Sequence, residues 1–228
     1  MKPKGEVQQE IDAIFGLLAY ALVYKDWQDE DTDRYSRRGY NVGALLVDPK
    51  HQAVMFELNS IDRCADVTQH GELRVMTKYL QETKNYNLEG FTIYATLEPC
   101  VMCAGMMTMT SLQRVVFGQQ DIMFSKAFER LAMDTRSVGG YAPYPRQVAV
   151  EASPLKYGAQ LDAAYQQYFA VSDQKILALF LASNTAKEIF KTAYEAFLSF
   201  KPEFDQNTQV YAQARYFFDT QFPGEGLS

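Results

Sequence analysis

With 228 residues, 47% of them hydrophobic and 22% charged, the chain has a globular composition and enough length to bury a sizeable core. A net charge of −6 argues against a broad nucleic-acid footprint, which is ordinarily basic, and three cysteines are too few for a disulfide framework. The amino terminus lacks a secretory-signal pattern and no apolar run approaches the roughly 20 residues of a membrane span, so a cytoplasmic protein without membrane contact is expected.

Val7, Ile11, Ile14, Phe15, Leu18 and Leu22 recur at helical spacing and predict a first helix over residues 6–25. Residues 26–38 are polar, with five acidic residues followed by Arg34, Arg37 and Arg38, and read as a solvated loop or a substrate-facing rim. Two apolar runs, 42–47 and 53–58, flank the turn residues Asp48-Pro49-Lys50-His51 and predict a hairpin. A polar loop over 59–69 leads to a helix over about 70–83, a strand over 91–97, a helix over 100–111 and a strand at 115–117. Residues 125–133 look helical and 147–152 extended. A helix between two strands favours a parallel crossover. A helix over 155–171 completes an alternating α/β pattern, which predicts a sheet covered on both faces.

Beyond residue 172 the pattern is purely helical. Thr185-Ala-Lys-Glu188 matches a capping box, Pro202 and Asp205 mark a break, and 211–222 predicts a last helix. The expected organisation is a catalytic domain over 1–171 and a helical extension over 172–228. That extension would pack on the domain or on a second subunit, as core, lid or docking element.

The chemistry concentrates in two short stretches. Cys100 and Cys103 lie three apart at a predicted helix start, so both sulfurs can reach one point, and His70 stands thirty residues upstream of Cys100. Two thiolates and one imidazole make a three-ligand zinc set that leaves the fourth tetrahedral position for water, the arrangement of a catalytic site. Glu72, two residues after His70, is placed to exchange protons with that water without ligating. A structural zinc would need a fourth protein ligand, for which only Cys64 and His51 remain, neither at suitable spacing. A redox pair would leave His70 and Glu72 unexplained.

His70-Gly71-Glu72 with Pro99-Cys100-Val101-Met102-Cys103 resembles the H-x-E…P-C-x-x-C signature of zinc-dependent nucleobase deaminases, the cytidine/nucleoside deaminase superfamily. Residues 96–105 together with Arg114-Val-Val-Phe-Gly118 are similar to its bacterial tRNA adenosine deaminase branch, well over 40–118 and loosely over 119–171. The resemblance implies a three-layer α/β fold with a mixed five-stranded sheet. It implies Zn2+ held by His70, Cys100 and Cys103, with Glu72 as proton shuttle. Asn59 would contact the base, with Val42, Leu97 and the backbone near Gly71 shaping the pocket. It also implies a nucleobase-containing substrate and a habit of homodimerisation.

The chain departs from that branch in several places. Gly71 replaces a typical alanine, Tyr40-Asn41 precedes the first strand in place of proline, and the basic carboxy-terminal helix is missing. Residues 173–228 hold five Lys or Arg against seven Asp or Glu. A nucleic-acid substrate would need phosphate contacts, for which Arg34, Arg37, Arg38, Arg63 and Arg146 are the candidates. The rival readings are a deaminase of a small base such as cytosine or guanine, and a catalytically silent deaminase-like subunit that binds a partner.

Overall fold

The computed structural model describes residues 5–33 and 35–221. Helix α1 spans Glu6–Lys25, followed by strands β1, Gly43–Val47, and β2, Ala53–Leu58. A short helix α2, Ile61–Cys64, interrupts the stretch expected to be loop. Then come α3, Gly71–Thr83, β3, Thr92–Leu97, α4, Val101–Met109, and β4, Arg114–Gln119. The chain continues through α5, Ala127–Leu131, β5, Ala149–Ala152, α6, Lys156–Val171, α7, Leu177–Phe180, α8, Asn184–Leu198, and α9, Asp205–Gln221.

The five strands form one mixed sheet in the order β2-β1-β3-β4-β5. β1 is antiparallel to β2 and β3, whereas β3–β4 and β4–β5 are parallel, each joined by a helical crossover. The hairpin turn follows from Asp48, whose carboxylate accepts the backbone N–H groups of Lys50 and Gln52 at 2.8 and 2.9 Å.

Strand alternation divides the core in two. Leu45, Tyr94 and Val116 face α1, α6 and α8, while Leu46, Ile93 and Val115 face α3 and α4. This is the α/β architecture with helices on both faces. α1 is buried nearly all round from Ile14 to Val23 because the sheet covers one side and the carboxy-terminal helices α8 and α9 the other. That double cover explains why its apolar residues form a run rather than a stripe. Asp12 anchors α1 to the sheet. Arg114 donates to both its oxygens at 2.9 and 2.6 Å, and the Tyr94 hydroxyl donates at 2.8 Å.

Two boundaries expected in the carboxy-terminal helices shift. The cap of α8 is Ser183, whose Oγ accepts the Ala186 N–H at 3.3 Å, not Thr185, which already lies in the first turn. The local pattern fits both positions, and the packing of Ala186, Phe190, Ala193 and Phe197 against α1 selects the earlier start. The last helix begins at Asp205, six residues before the expected 211, because Asn207 is drawn into a buried contact with the Val7 carbonyl and Glu10 of α1. Its expected last residue, 222, lies outside the described residues.

Candidate active site

The two chemical stretches become two helix starts. His70 is the extended residue immediately before α3 and Cys100 the extended residue immediately before α4, with Cys103 in the first turn of α4 and Glu72 in the first turn of α3. The expected helix at 100 thus starts one residue later, with Cys100 as its cap. Both helices point their positive ends at the same place, which favours anionic thiolates and carboxylates there.

His70 Nδ1 lies 3.6 Å from Cys100 Sγ and 3.7 Å from Cys103 Sγ, and the two sulfurs are 3.8 Å apart. Tetrahedral zinc with Zn–S of about 2.3 Å and Zn–N of about 2.0–2.1 Å requires S···S edges of about 3.8 Å and S···N edges of about 3.6 Å. The three separations are therefore the edges of a zinc tetrahedron, and the donor set fits the ion. It is also the one group of three or more metal-capable donors among the described residues.

The electrostatics are those of a partly buried cluster. The Cys100 thiol is held down to about 4, first by the hydrogen bond from Cys103 and then by His70. The Cys103 thiol is pushed up by that same bond and by burial. Burial pushes the Glu72 carboxyl up to about 7, and its Oε2 sits 3.8 Å from Cys103 Sγ. A carboxyl held near neutrality is chemically suited to exchange protons.

A cavity of about 620 Å³ opens beside the cluster, at the carboxyl ends of β3 and β4 and the amino end of β1. Val42, Asn59, His70, Glu72, Leu97 and Cys100 all border it, whereas Gly71 does not. Gly71 lies behind the wall, where a Cβ would come within 2.8 Å of the Glu57 carbonyl oxygen. Asn59 is buried, and its Oδ1 accepts the backbone N–H groups of Tyr40 at 3.1 Å and Ile61 at 3.4 Å. With Oδ1 committed, the group Asn59 can offer a ligand is its Nδ2 donor.

The structure redistributes the proposed rim of arginines. Arg38 is buried, 2% exposed. It donates to Asp26 Oδ2 at 3.0 Å, to the Asn59 carbonyl at 2.7 Å and to the Tyr40 carbonyl at 3.1 Å. It therefore buttresses the wall from behind and cannot reach a phosphate. Arg37 bonds to the carbonyls of Glu30 and Thr32, and Arg146 to that of Met109 at the opposite end of α4. Arg63 is exposed, and Arg34 lies outside the described residues.

Sequence reasoning did not single out Glu98 or Asp121. Glu98 accepts the backbone N–H groups of Asp121 and Lys126 at 3.3 and 3.0 Å, and Asp121 those of Met123 and Phe124 at 3.0 and 3.1 Å. Together they fold the segment after β4 so that Met123 and Phe124 reach the cavity mouth. Glu98 stands beside Pro99 in the signature stretch, a signal that was available.

Residues 24–119 match the family described as the cytidine and deoxycytidylate deaminase zinc-binding region. The tRNA-specific adenosine deaminase of Haemophilus influenzae is 38% identical over 80 residues, which are 35% of this chain and 46% of that protein. The probable cytosine deaminase of Schizosaccharomyces pombe is 29% identical over 112 residues, 46% of this chain and 67% of that one. The chain spans about half the length of the first of these relatives. Among solved structures, one from a study of tRNA:A34 deaminases has a TM-score of 0.41 at 24% identity, covering 49% of this chain and 82% of its own. The guanine deaminase from Nitrosomonas europaea has a TM-score of 0.38 at 13% identity, covering 69% and 74%.

Proposed function

We propose that this chain, a member of the zinc-dependent cytidine/nucleoside deaminase superfamily through its residues 24–119, is a hydrolytic deaminase that replaces the exocyclic amino group of a nucleobase with oxygen. The observation that carries the reading is the tetrahedral spacing of His70, Cys100 and Cys103 beside a buried Glu72, with His70, Cys100 and Glu72 lining one cavity. His70, Cys100 and Cys103 would hold the zinc, and zinc there supplies a Lewis acid that makes water nucleophilic at neutral pH.

The chain's own residues do the rest. Asn59 donates from Nδ2 to an acceptor on the ring and sets its orientation, while Val42 and Leu97 pack on its faces and keep bulk water away. Glu72 takes the proton of the attacking water and delivers it to the ring nitrogen. A C–O bond forms at the amino-bearing carbon; Glu72, again a carboxylate, takes the proton of the new hydroxyl and passes it to the amino group, the C–N bond breaks as the carbonyl forms, and ammonia leaves.

The test is ammonia release by the full chain from a panel of bases, nucleosides and oligonucleotides, run beside Glu72→Gln. The variant should keep about one zinc per chain and lose activity by about 10²–10⁴-fold. Equal behaviour of wild type and variant across the panel would refute the catalytic reading and favour a silent binding subunit. Homodimerisation, which the resemblance implies, would be detected by sedimentation.

A further inference from the structure

Residues outside the 24–119 match complete the pocket. Ile176, Leu177, Ala178 and Leu181 border the same cavity as His70 and Glu72. This segment is fixed from two sides. Phe180, 1% exposed, packs against Tyr165 and Tyr168 with ring centroids 5.2 and 5.7 Å away. The Leu181 carbonyl accepts Asn41 Nδ2 at 3.0 Å, and that same nitrogen donates to the Gln28 carbonyl at 2.7 Å. Asn41 is 2% exposed and belongs to the loop that Arg38 ties to the Asn59 carbonyl. The carboxy-terminal wall and the Asn59 wall are therefore one hydrogen-bonded construction rather than a loose cover.

The charge around the cavity points the same way. Among the described residues that line it, Lys175 is the single cation, against Glu72, Glu98 and Asp121. A base swung out of a polynucleotide carries phosphates on both sides, and such ligands are held by several cationic contacts. Arg38 and Arg37 are spent on carboxylate and carbonyl oxygens and Arg146 is a helix length away, which leaves, of the candidates among the described residues, exposed Arg63 on α2, whose first residue Ile61 lines the cavity. A largely apolar cavity of about 620 Å³ with a few directed polar groups suits a small ligand.

Building on the deaminase reading, we infer that the substrate is a free nucleobase or its nucleoside, not a base within a nucleic-acid chain, and that Ile176 and Leu177 set its identity by packing on it. The zinc-loaded full chain is assayed for ammonia release from cytosine, guanine, adenine, their nucleosides, and short RNA and DNA stem-loops. One small compound should exceed every oligonucleotide in kcat/KM by at least roughly a hundredfold. Ile176→Ala and Leu177→Ala should each raise its KM by roughly tenfold with kcat within about twofold, as expected for lost apolar packing on a bound substrate. Ile176 is about half exposed, so its variant probes the wall without threatening the fold. Turnover of oligonucleotides with the small compounds inert would overturn the inference while leaving the deaminase reading standing. An unchanged KM in both variants would overturn the role of the wall. No ammonia from any compound by a chain holding zinc would overturn both readings together.

Discussion

Gly71 stands between His70 and Glu72, and its missing side chain lets α3 start hard against the hairpin. A Cβ there would lie 2.8 Å from the Glu57 carbonyl oxygen and 3.3 Å from the Ala44 nitrogen, backbone atoms that cannot swing aside. The family that the motif resembles usually carries alanine at this place, so this chain has drawn the helix closer to its strands than a side chain would permit. Gly71→Ala should destabilise the protein by about 1–3 kcal/mol, read as a fall in the denaturation midpoint, and should lower zinc occupancy by displacing His70. The neighbouring Asn59 shows a different restriction. Two backbone donors hold its Oδ1, so Asn59→Asp would set a carboxylate where the pocket now presents an N–H donor. That change should raise KM for a base with an acceptor at the contact while zinc content stays the same.

The elements past residue 172 belong energetically to α1. Phe190 lies 4.9 Å from Tyr20 and 5.2 Å from Trp27 between ring centroids, while Phe197, fully buried, packs on Phe218 and Tyr211. Phe197→Ala should therefore cost about 3–5 kcal/mol in equilibrium unfolding, the range for removing a buried aromatic from a core that relaxes only partly. Ser183→Ala removes one cap bond and should cost about 1 kcal/mol in the same measurement. A difference of that size separates what packing contributes to α8 from what its local cap contributes. Close approach is also used on this face. A Cβ on Gly158 of α6 would meet the Gly118 carbonyl of β4 at 2.4 Å, which places the helix directly on the strand.

At the scale of the molecule, metal and fold should be coupled, because the proposed ligands come from the starts of two helices that pack on one face of the sheet. Binding to the native state alone adds about 2.7 kcal/mol at free zinc a hundredfold above its Kd. Elemental analysis should find about one zinc per chain. Chelation should abolish ammonia release and lower the melting temperature, and added zinc should restore both. A metal-free chain with full activity would contradict the proposed mechanism.

Some of this was determined by sequence alone. Two apolar runs and the turn residues between them were enough for the hairpin, and helical spacing with β-rich stretches for the main strands and helices, since those patterns arise from local hydrogen bonding and turn chemistry, whereas the short α2 fell in a stretch expected to be loop. The H-x-E and P-C-x-x-C spacings carried the resemblance to the deaminases and the expected zinc donors, because ligands three residues apart at a helix start share one face whatever lies around them. Other features were decided only by the tertiary structure. Arg38, which sequence placed on a rim, is sunk in the wall, because Asp26, 12 residues away, and the Asn59 carbonyl, 21 residues away, converge on it. Nothing local in Ile176-Leu177-Ala178 distinguishes a pocket wall from ordinary core packing. Only the return of the chain over α1, and the long-range bond from Asn41 to Leu181, bring that segment to the cavity. Contacts between residues 140 positions apart leave no mark in a window of ten, which is why the metal-capable donors could be read early and the shape of the cavity beside them could not.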